Sequence, residues 1–367
     1  MIVALLFALA VVSFVAVTGL SRLYRAQQES LGNRWFTRGV ADLEQQRFAQ
    51  AVSEFRTALL YSRDNYSYQR NLAEALIGLK RTDEAYAYLI NLWEREPENG
   101  LVNRELARIA AQKGDTEQAL RYYYNSIYAT WPGDQEAERR KTRLELIEFL
   151  LKIGAKTQAQ SELIALAANL GNDPSQHAGA GDLFLQAQDY QHALAEYRLS
   201  LKSEHHNPAV LAGAGLAAFE LGRYDLAQRY IQEAVAANPN DAESAARLKT
   251  TELVLRLDPF RRQLSSAQRN RVVIEAFAAA GERVNSCSAG AGSTDAVDQT
   301  KPPGSLAEAW TKMRPKINER SLQRDPDLVE TAMDMVFRIE RQTASVCGAP
   351  TDTDTALLLI SKLHEGN

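Results

Sequence analysis

The hydrophobic pattern opens with an unbroken apolar run. Met1 to Leu20 carries no charge, and only Ser13, Thr18 and Gly19 interrupt its apolar side chains. At ~1.5 Å per residue a helix of this length spans ~30 Å, the thickness of a bilayer's hydrocarbon core. The run therefore predicts a single transmembrane helix over 1–21, followed by a juxtamembrane linker at 22–32. A cleaved signal peptide is the alternative. It calls for a shorter run, a basic start and a small-residue cleavage site, and Val17-Thr18-Gly19 is a poor one. Arg22, Arg25, Arg34 and Arg38 follow the run and no Lys or Arg precedes it. The positive-inside rule then points the rest of the chain to the cytoplasm, with the periplasm as the alternative.

Past residue 33 the apolar positions fall into amphipathic helices, and small residues recur at a fixed step. Ala51, Ala85 and Ala119 are 34 residues apart, and so are Ala159, Ala193 and Ala227. The gap between the two triplets is 40, which places six extra residues near Trp131-Pro132-Gly133-Asp134. Gly39, Ala73, Ala107, Gly181 and Gly215 share a second register, and Phe55, Tyr123 and Tyr197 a third. Two antiparallel helices of this length cannot bury their own apolar face, so such units stack on their neighbours. The small residues permit close helix approach, and the aromatic residues fill the space between units. Gly114, Gly154 and Gly222 suit the turn within a unit; Pro97 and Pro239 close their units.

This pattern resembles the tetratricopeptide repeat (TPR) over residues 33–240, in six units. The implied fold is all-α: a superhelical solenoid of about six helix-turn-helix repeats. A capping helix at 241–257 completes a solenoid region of 33–257. No Ala stands at the next 34-residue step, where Arg261 is found. In this family the first helix of each unit lines a concave groove. The candidate peptide-binding residues are then Phe36, Val40, Arg70, Glu74, Arg104, Arg108, Asp182 and Phe219. The carboxylate clamp of chaperone-binding members is absent, because its positions hold Phe36, Val40 and Glu105. Arg70, Arg104 and Arg108 form a basic cluster that can hold the carboxylates of an acidic peptide. The alternative is that these arginines pair with Glu74 and Glu105 on a solvated face.

Residues 258–367 predict a small helical region. Asp258-Pro259 breaks the repeat pattern, and a helix is expected at 260–284. The stretch 285–304 is rich in Gly, Ser, Thr and Asp and reads as a flexible loop. Helices are expected near 305–321 (interrupted by Pro315), 327–345 and 354–363, with Asp327 and Thr353 or Asp354 as N-caps. Cys287 and Cys347 each follow a helix and form a possible disulfide in an oxidising compartment; in the cytoplasm they would remain thiols.

Composition and charge narrow the chemistry. The chain has 367 residues, 45% hydrophobic and 24% charged, which fits a folded protein. A net charge of −4 gives no reason to expect nucleic acid. Two cysteines exclude a disulfide-dense scaffold and a four-cysteine zinc site within one chain. No phosphate-binding loop, dinucleotide fingerprint, zinc-protease helix or nucleophile elbow occurs, so no catalytic residue, metal or cofactor is expected. The TPR resemblance implies a membrane-tethered interaction scaffold or adaptor, of the kind that acts in bacterial-type envelope or membrane-complex assembly. Its partner would be a protein, either a membrane protein or an acidic peptide segment. The alternatives are a self-associating, homo-oligomeric structural component and an enzyme with its site in 258–367.

Overall fold

The computed structural model describes the backbone of residues 2–290 and 303–365 and the side chains of 13–287 and 305–365. Part of the expected loop, 291–302, thus lies outside the described residues. Among those described, the chain forms eighteen α-helices and no strand, an all-α arrangement of TPR-like helix pairs. It divides into two compact units, Met1–Glu162 and Leu163–Asn367.

Unit 1 contains α1 (Ile2–Glu44), α2 (Phe48–Tyr61), α3 (Tyr66–Gly78), α4 (Thr82–Arg95), α5 (Gly100–Lys113), α6 (Thr116–Tyr128), α7 (Gln135–Lys152) and the start of α8 (Lys156–Ala167). The expected membrane anchor at Met1–Leu20 requires correction. Among the described residues, no helix is long and apolar enough to cross a membrane. The reason lies in α1 itself, which continues through the expected linker at 22–32 into the first repeat. Arg22, Arg25 and Glu29 stand on that same unbroken helix, where a separate linker was expected. The single-pass membrane localisation falls with the anchor, as do both expected orientations.

The repeats carry two polar devices in the same register as the alanines. The first helix of a pair is capped by Asn65, Asn99, Asp134, Asp173, Asn207 or Asp241, whose side-chain oxygen accepts a backbone N–H of the first turn. The second device is a left-handed residue in the turn of each pair: Gln46, Lys80, Gly114, Gly154, Gln188 and Gly222. Each stands five residues before its alanine. The following N–H closes the turn on a carbonyl five residues back, as in Arg81 N–H to Leu76 O at 2.9 Å and Asp115 N–H to Ala110 O at 3.0 Å. Half of these turns use Gln or Lys, so glycine spacing reveals only the other half. The six extra residues chiefly lengthen α7, which has 18 residues where α5 has 14.

All six register alanines are fully buried. The glycines opposite them seat large side chains: a Cβ on Gly39 would lie 2.6 Å from the Phe55 ring, and one on Gly181 2.7 Å from the Tyr197 ring. In unit 1 the core runs through Phe55, Leu76, Leu89, Leu106, Tyr123 and Leu150.

Unit 2 continues with two further pairs, α9 (Pro174–Gln186) with α10 (Tyr190–Ser200) and α11 (Pro208–Glu220) with α12 (Tyr224–Ala237). The capping helix α13 (Ala242–Leu257) packs on α12 and then on α18 (Asp352–His364), whose ion pair Lys249–Asp352 measures 2.5 Å. The helix that covers α13 thus comes from the far end of the chain, which accounts for the repeat register stopping at Arg261. That arginine instead donates to Leu255 O at 2.7 Å and to Asp225 Oδ1 at 3.0 Å.

Between α13 and α18 lie α14 (Ser266–Gly290), α15 (Pro303–Met313), a 3-10 turn at Arg314–Lys316, α16 (Glu319–Arg324) and α17 (Asp327–Val346). They share one core with α12 and α13, in which Trp310 stacks on Phe277 at 5.5 Å over Gly281. Residues 258–367 therefore pack with repeats five and six in one unit. Helix α14 runs past the expected end at 284, because buried Val284 and the Cys287 linkage hold its last turns against α17. The N-caps also differ from expectation. Thr351 caps α18 in a reciprocal box with Asp354, and Asp325 receives the Asp327 N–H at the start of α17.

Candidate peptide-binding site

The first helices of unit 1 bring four of the expected groove residues together. Arg70 and Glu74 stand on α3, and Arg104 and Arg108 follow 34 residues later on α5. All four line a cleft of 320 Å³ with Lys141 of α7. The 34-residue register sets this geometry, since it places each first-helix residue beside its equivalent in the next repeat.

The arginines are not equivalent. Arg104 is 5% exposed, ion-paired to Glu138, and stacked over the Trp131 ring at 4.7 Å. Arg108 grips Glu145 with two hydrogen bonds, Nε to Oε2 at 2.8 Å and Nη2 to Oε1 at 2.5 Å, and reaches Glu105 through Nη1. Its hydrogen bonding to Glu145 raises its basicity further, so it stays charged. Burial pushes the Glu105 carboxyl upward, and Arg108 and Arg104 oppose that shift. Arg104 and Arg108 are thus held by Glu138, Glu145 and Glu105. Among the described residues, Glu105 is the expected acidic partner that pairs with an arginine, while Glu74 is exposed and makes no ion pair there. Arg70 and Lys141 also carry no ion pair among the described residues, and the buried Arg70 Nε has no hydrogen-bond partner.

A second cleft, of 690 Å³, shares Arg70 and Leu101 with the first. Its walls are the α4–α5 turn, with Glu96, Pro97 and Glu98, and the α6–α7 connection, with Trp131 and Pro132. The two walls are joined by backbone. Thr130 N–H donates to Glu98 O at 3.1 Å, and Gly100 N–H donates to Thr130 O at 3.2 Å. Trp131 is wedged against Gly100, where any Cβ would lie 2.4 Å from the indole, and its Nε1–H donates to Ser126 O at 2.9 Å. Sequence reasoning missed Lys141, Leu101, Pro97 and Trp131 as lining residues. The break in register near Trp131 was the available signal.

The other expected residues stand elsewhere. Phe36 is half-buried, stacked on Tyr68 at 4.9 Å and tilted against Phe55 at 5.7 Å, and it packs on the core with Val40. In unit 2, Asp182 accepts the Tyr197 hydroxyl at 2.6 Å. Phe219 meets Tyr224 edge-on at 5.4 Å and lines a small cleft with Leu359 and Leu363 of α18, so its own chain flanks it. Cys287 and Cys347 are bonded, with Cα atoms 5.3 Å apart. Among the described residues, no three His, Cys, Asp or Glu side chains gather as a metal site.

Helix pairs that recur at 34 residues, with a buried alanine in each, fit the tetratricopeptide pattern. Tetratricopeptide-repeat family models match residues 42–109, and again 87–135 and 212–248, so these stretches are tetratricopeptide repeats. As a class such repeats are protein–protein interaction modules. Several solved structures are similar. The C-terminal part of a TPR repeat-containing protein from Cytophaga hutchinsonii is 11% identical, with a TM-score of 0.47 over 65% of this chain and 92% of that one. Pseudomonas aeruginosa pilF is 17% identical, with a TM-score of 0.42 over 60% of this chain and 97% of that one. YrrB, described as a TPR protein with an unusual peptide-binding site, is 14% identical, with a TM-score of 0.42 over 52% and 95%. No curated protein matches the chain.

Proposed function

We propose that this chain is an interaction scaffold that holds a partner's peptide segment against α3, α5 and α7 of unit 1. The observation that carries the reading is the pair of unsatisfied cations, Arg70 and Lys141, in a cleft whose other arginines are already neutralised. A cation left without an ion pair beside apolar walls has most to gain from a ligand carboxylate. Arg104 and Arg108 serve this site by shaping it, because their acidic partners fix their position.

Site-specific photo-crosslinking in cells tests the reading. A photoreactive residue at Leu101, inside both clefts, is expected to capture a protein partner. The same residue at Leu60, 84% exposed and outside both clefts, is expected to capture none. The combined change Arg70→Ala and Lys141→Ala is expected to abolish the Leu101 product. Equal capture at the two positions, or a product untouched by that double change, would remove the cleft from the proposal.

A further inference from the structure

The two clefts that share Arg70 differ in the sign of their charge. In the inner cleft Arg104 and Arg108 are neutralised by Glu138, Glu145 and Glu105, which leaves the unpaired Arg70 and Lys141 against Glu74. In the outer cleft the balance reverses, since Glu96 and Glu98 face Arg70 as the one cation. Leu101 is shared by the two clefts, and Pro97, Trp131 and Pro132 add apolar surface to the outer one beside Asn99 and Thr130. Neither outer carboxylate is neutralised by an ion pair among the described residues. Glu96 accepts from the Asn99 amide at 3.2 Å and lies beside the Tyr66 hydroxyl, whose pKa it helps to raise, and Glu98 is exposed. The carbonyl of Glu98 holds Thr130, so the acidic turn and the Pro132 wall are fixed relative to each other.

We infer that the two clefts form one continuous site for a peptide of mixed charge, with an acidic residue at the Arg70–Lys141 pole, an apolar residue at Leu101, and a basic residue at the Glu96–Glu98 pole. This inference rests on the peptide-binding reading above and specifies its ligand. The expectation from the arginine cluster alone was an acidic peptide. A uniformly acidic peptide long enough to leave the inner cleft meets the Glu96 and Glu98 carboxylates, and like charges at close range are repelled. A uniformly basic one meets Arg70 and Lys141. Only opposite charges at the two ends of an apolar centre complement both poles. The outer cleft lies in the size range of sites that enclose a small ligand, so it has room for a few peptide residues. It is built by the α6–α7 connection, where the repeat register breaks.

The test begins with panning a phage-displayed random peptide library on the full chain. Three synthetic peptides are then made on the enriched apolar centre, flanked by acid and base, by acid on both sides, and by base on both sides. Fluorescence anisotropy is expected to show the mixed peptide binding at least about tenfold more tightly than either uniform one. The variant Glu96→Lys with Glu98→Lys is expected to prefer the doubly acidic peptide, and Arg70→Glu to lose the acid preference. All these side chains are free of ion pairs among the described residues, and circular dichroism checks that each variant stays folded. Uniformly acidic peptides binding as tightly as mixed ones, or binding blind to the Glu96 and Glu98 changes, overturns the charge order and leaves the peptide-binding reading standing. A library that yields no binder, together with no Leu101 crosslink, overturns both.

Discussion

Glu340 is expected to make the stability of unit 2 fall as pH rises from about 4.5 to about 8. Its side chain stands on α17, 1% exposed, and neither carboxyl oxygen has a hydrogen-bond partner. Burial is the main reason its pKa is pushed up to about 8, and the Asp354 carboxylate on α18 raises it further. Arg283 on α14 opposes the shift only in part. Its guanidinium is already engaged with Asp354 Oδ2 at 3.6 Å, the carbonyl of Gly348 at 3.0 Å and that of Thr343 at 3.3 Å.

In the unfolded chain this carboxyl returns to near its ordinary 4.5. Below that pH both states are protonated, and the group contributes no pH dependence. Between 4.5 and about 8 the unfolded chain releases the proton while the folded chain keeps it. Stability therefore falls as pH rises through this window and levels off above it. At ~1.36 kcal/mol per pH unit the window corresponds to a ceiling of about 5 kcal/mol. The variant Glu340→Gln cannot titrate. Urea unfolding followed by circular dichroism is expected to show a variant-minus-native stability difference that grows by several kcal/mol from about pH 5 to about pH 9. Any constant offset from the amide cancels in that comparison. A difference that stays flat across the range would refute the assignment of this pH dependence to Glu340.

Three further outcomes follow from the packing. Reducing the Cys287–Cys347 bond, or replacing both residues by Ser, frees a loop with a sequence separation of 60, and is expected to cost about 4 kcal/mol in denaturant unfolding. The change Gly39→Ala forces a Cβ to within 2.6 Å of the Phe55 ring, and is expected to cost about 1–3 kcal/mol, recovered in part when Phe55→Leu is added. The change Trp131→Ala removes a side chain that is 2% exposed, and is expected to cost about 3–5 kcal/mol of unit 1 stability while weakening any ligand of the outer cleft. A Trp131→Ala protein that melts like the native one would show that the α6–α7 connection is held by its backbone bonds alone.

The repeat architecture was legible because it is a local, periodic property. Ala51 and its five equivalents are fully buried, as their spacing demands, and the pairing of helices follows from short turns at fixed intervals. The apolar start was legible only as composition. A count of apolar residues does not reveal where a helix ends, and α1 runs on through Arg22, Arg25 and Glu29 into the first repeat. Glycine also proved an incomplete marker of turns, since Gln46, Lys80 and Gln188 adopt the left-handed conformation without it. There the closing hydrogen bonds and the packed helices on either side outweigh the local steric cost.

The candidate site divides along the same line. Residue identity and a 34-residue step suffice to align Arg70 with Arg104 and Glu74 with Arg108, because equivalent positions in stacked repeats are neighbours. Which of these charges remains free depends on side chains from α7, and only the folded chain brings Glu138, Glu145 and Lys141 within reach. The same holds for α18, which crosses from the end of the chain to cover α13, and for Glu340, whose titration is set by α14 and α18 together. By itself the sequence determined what repeats: helix length, turn position and the buried alanine. Tertiary structure alone decided the non-repeating contacts, because charge pairing and burial depend on distances in space that no local period encodes.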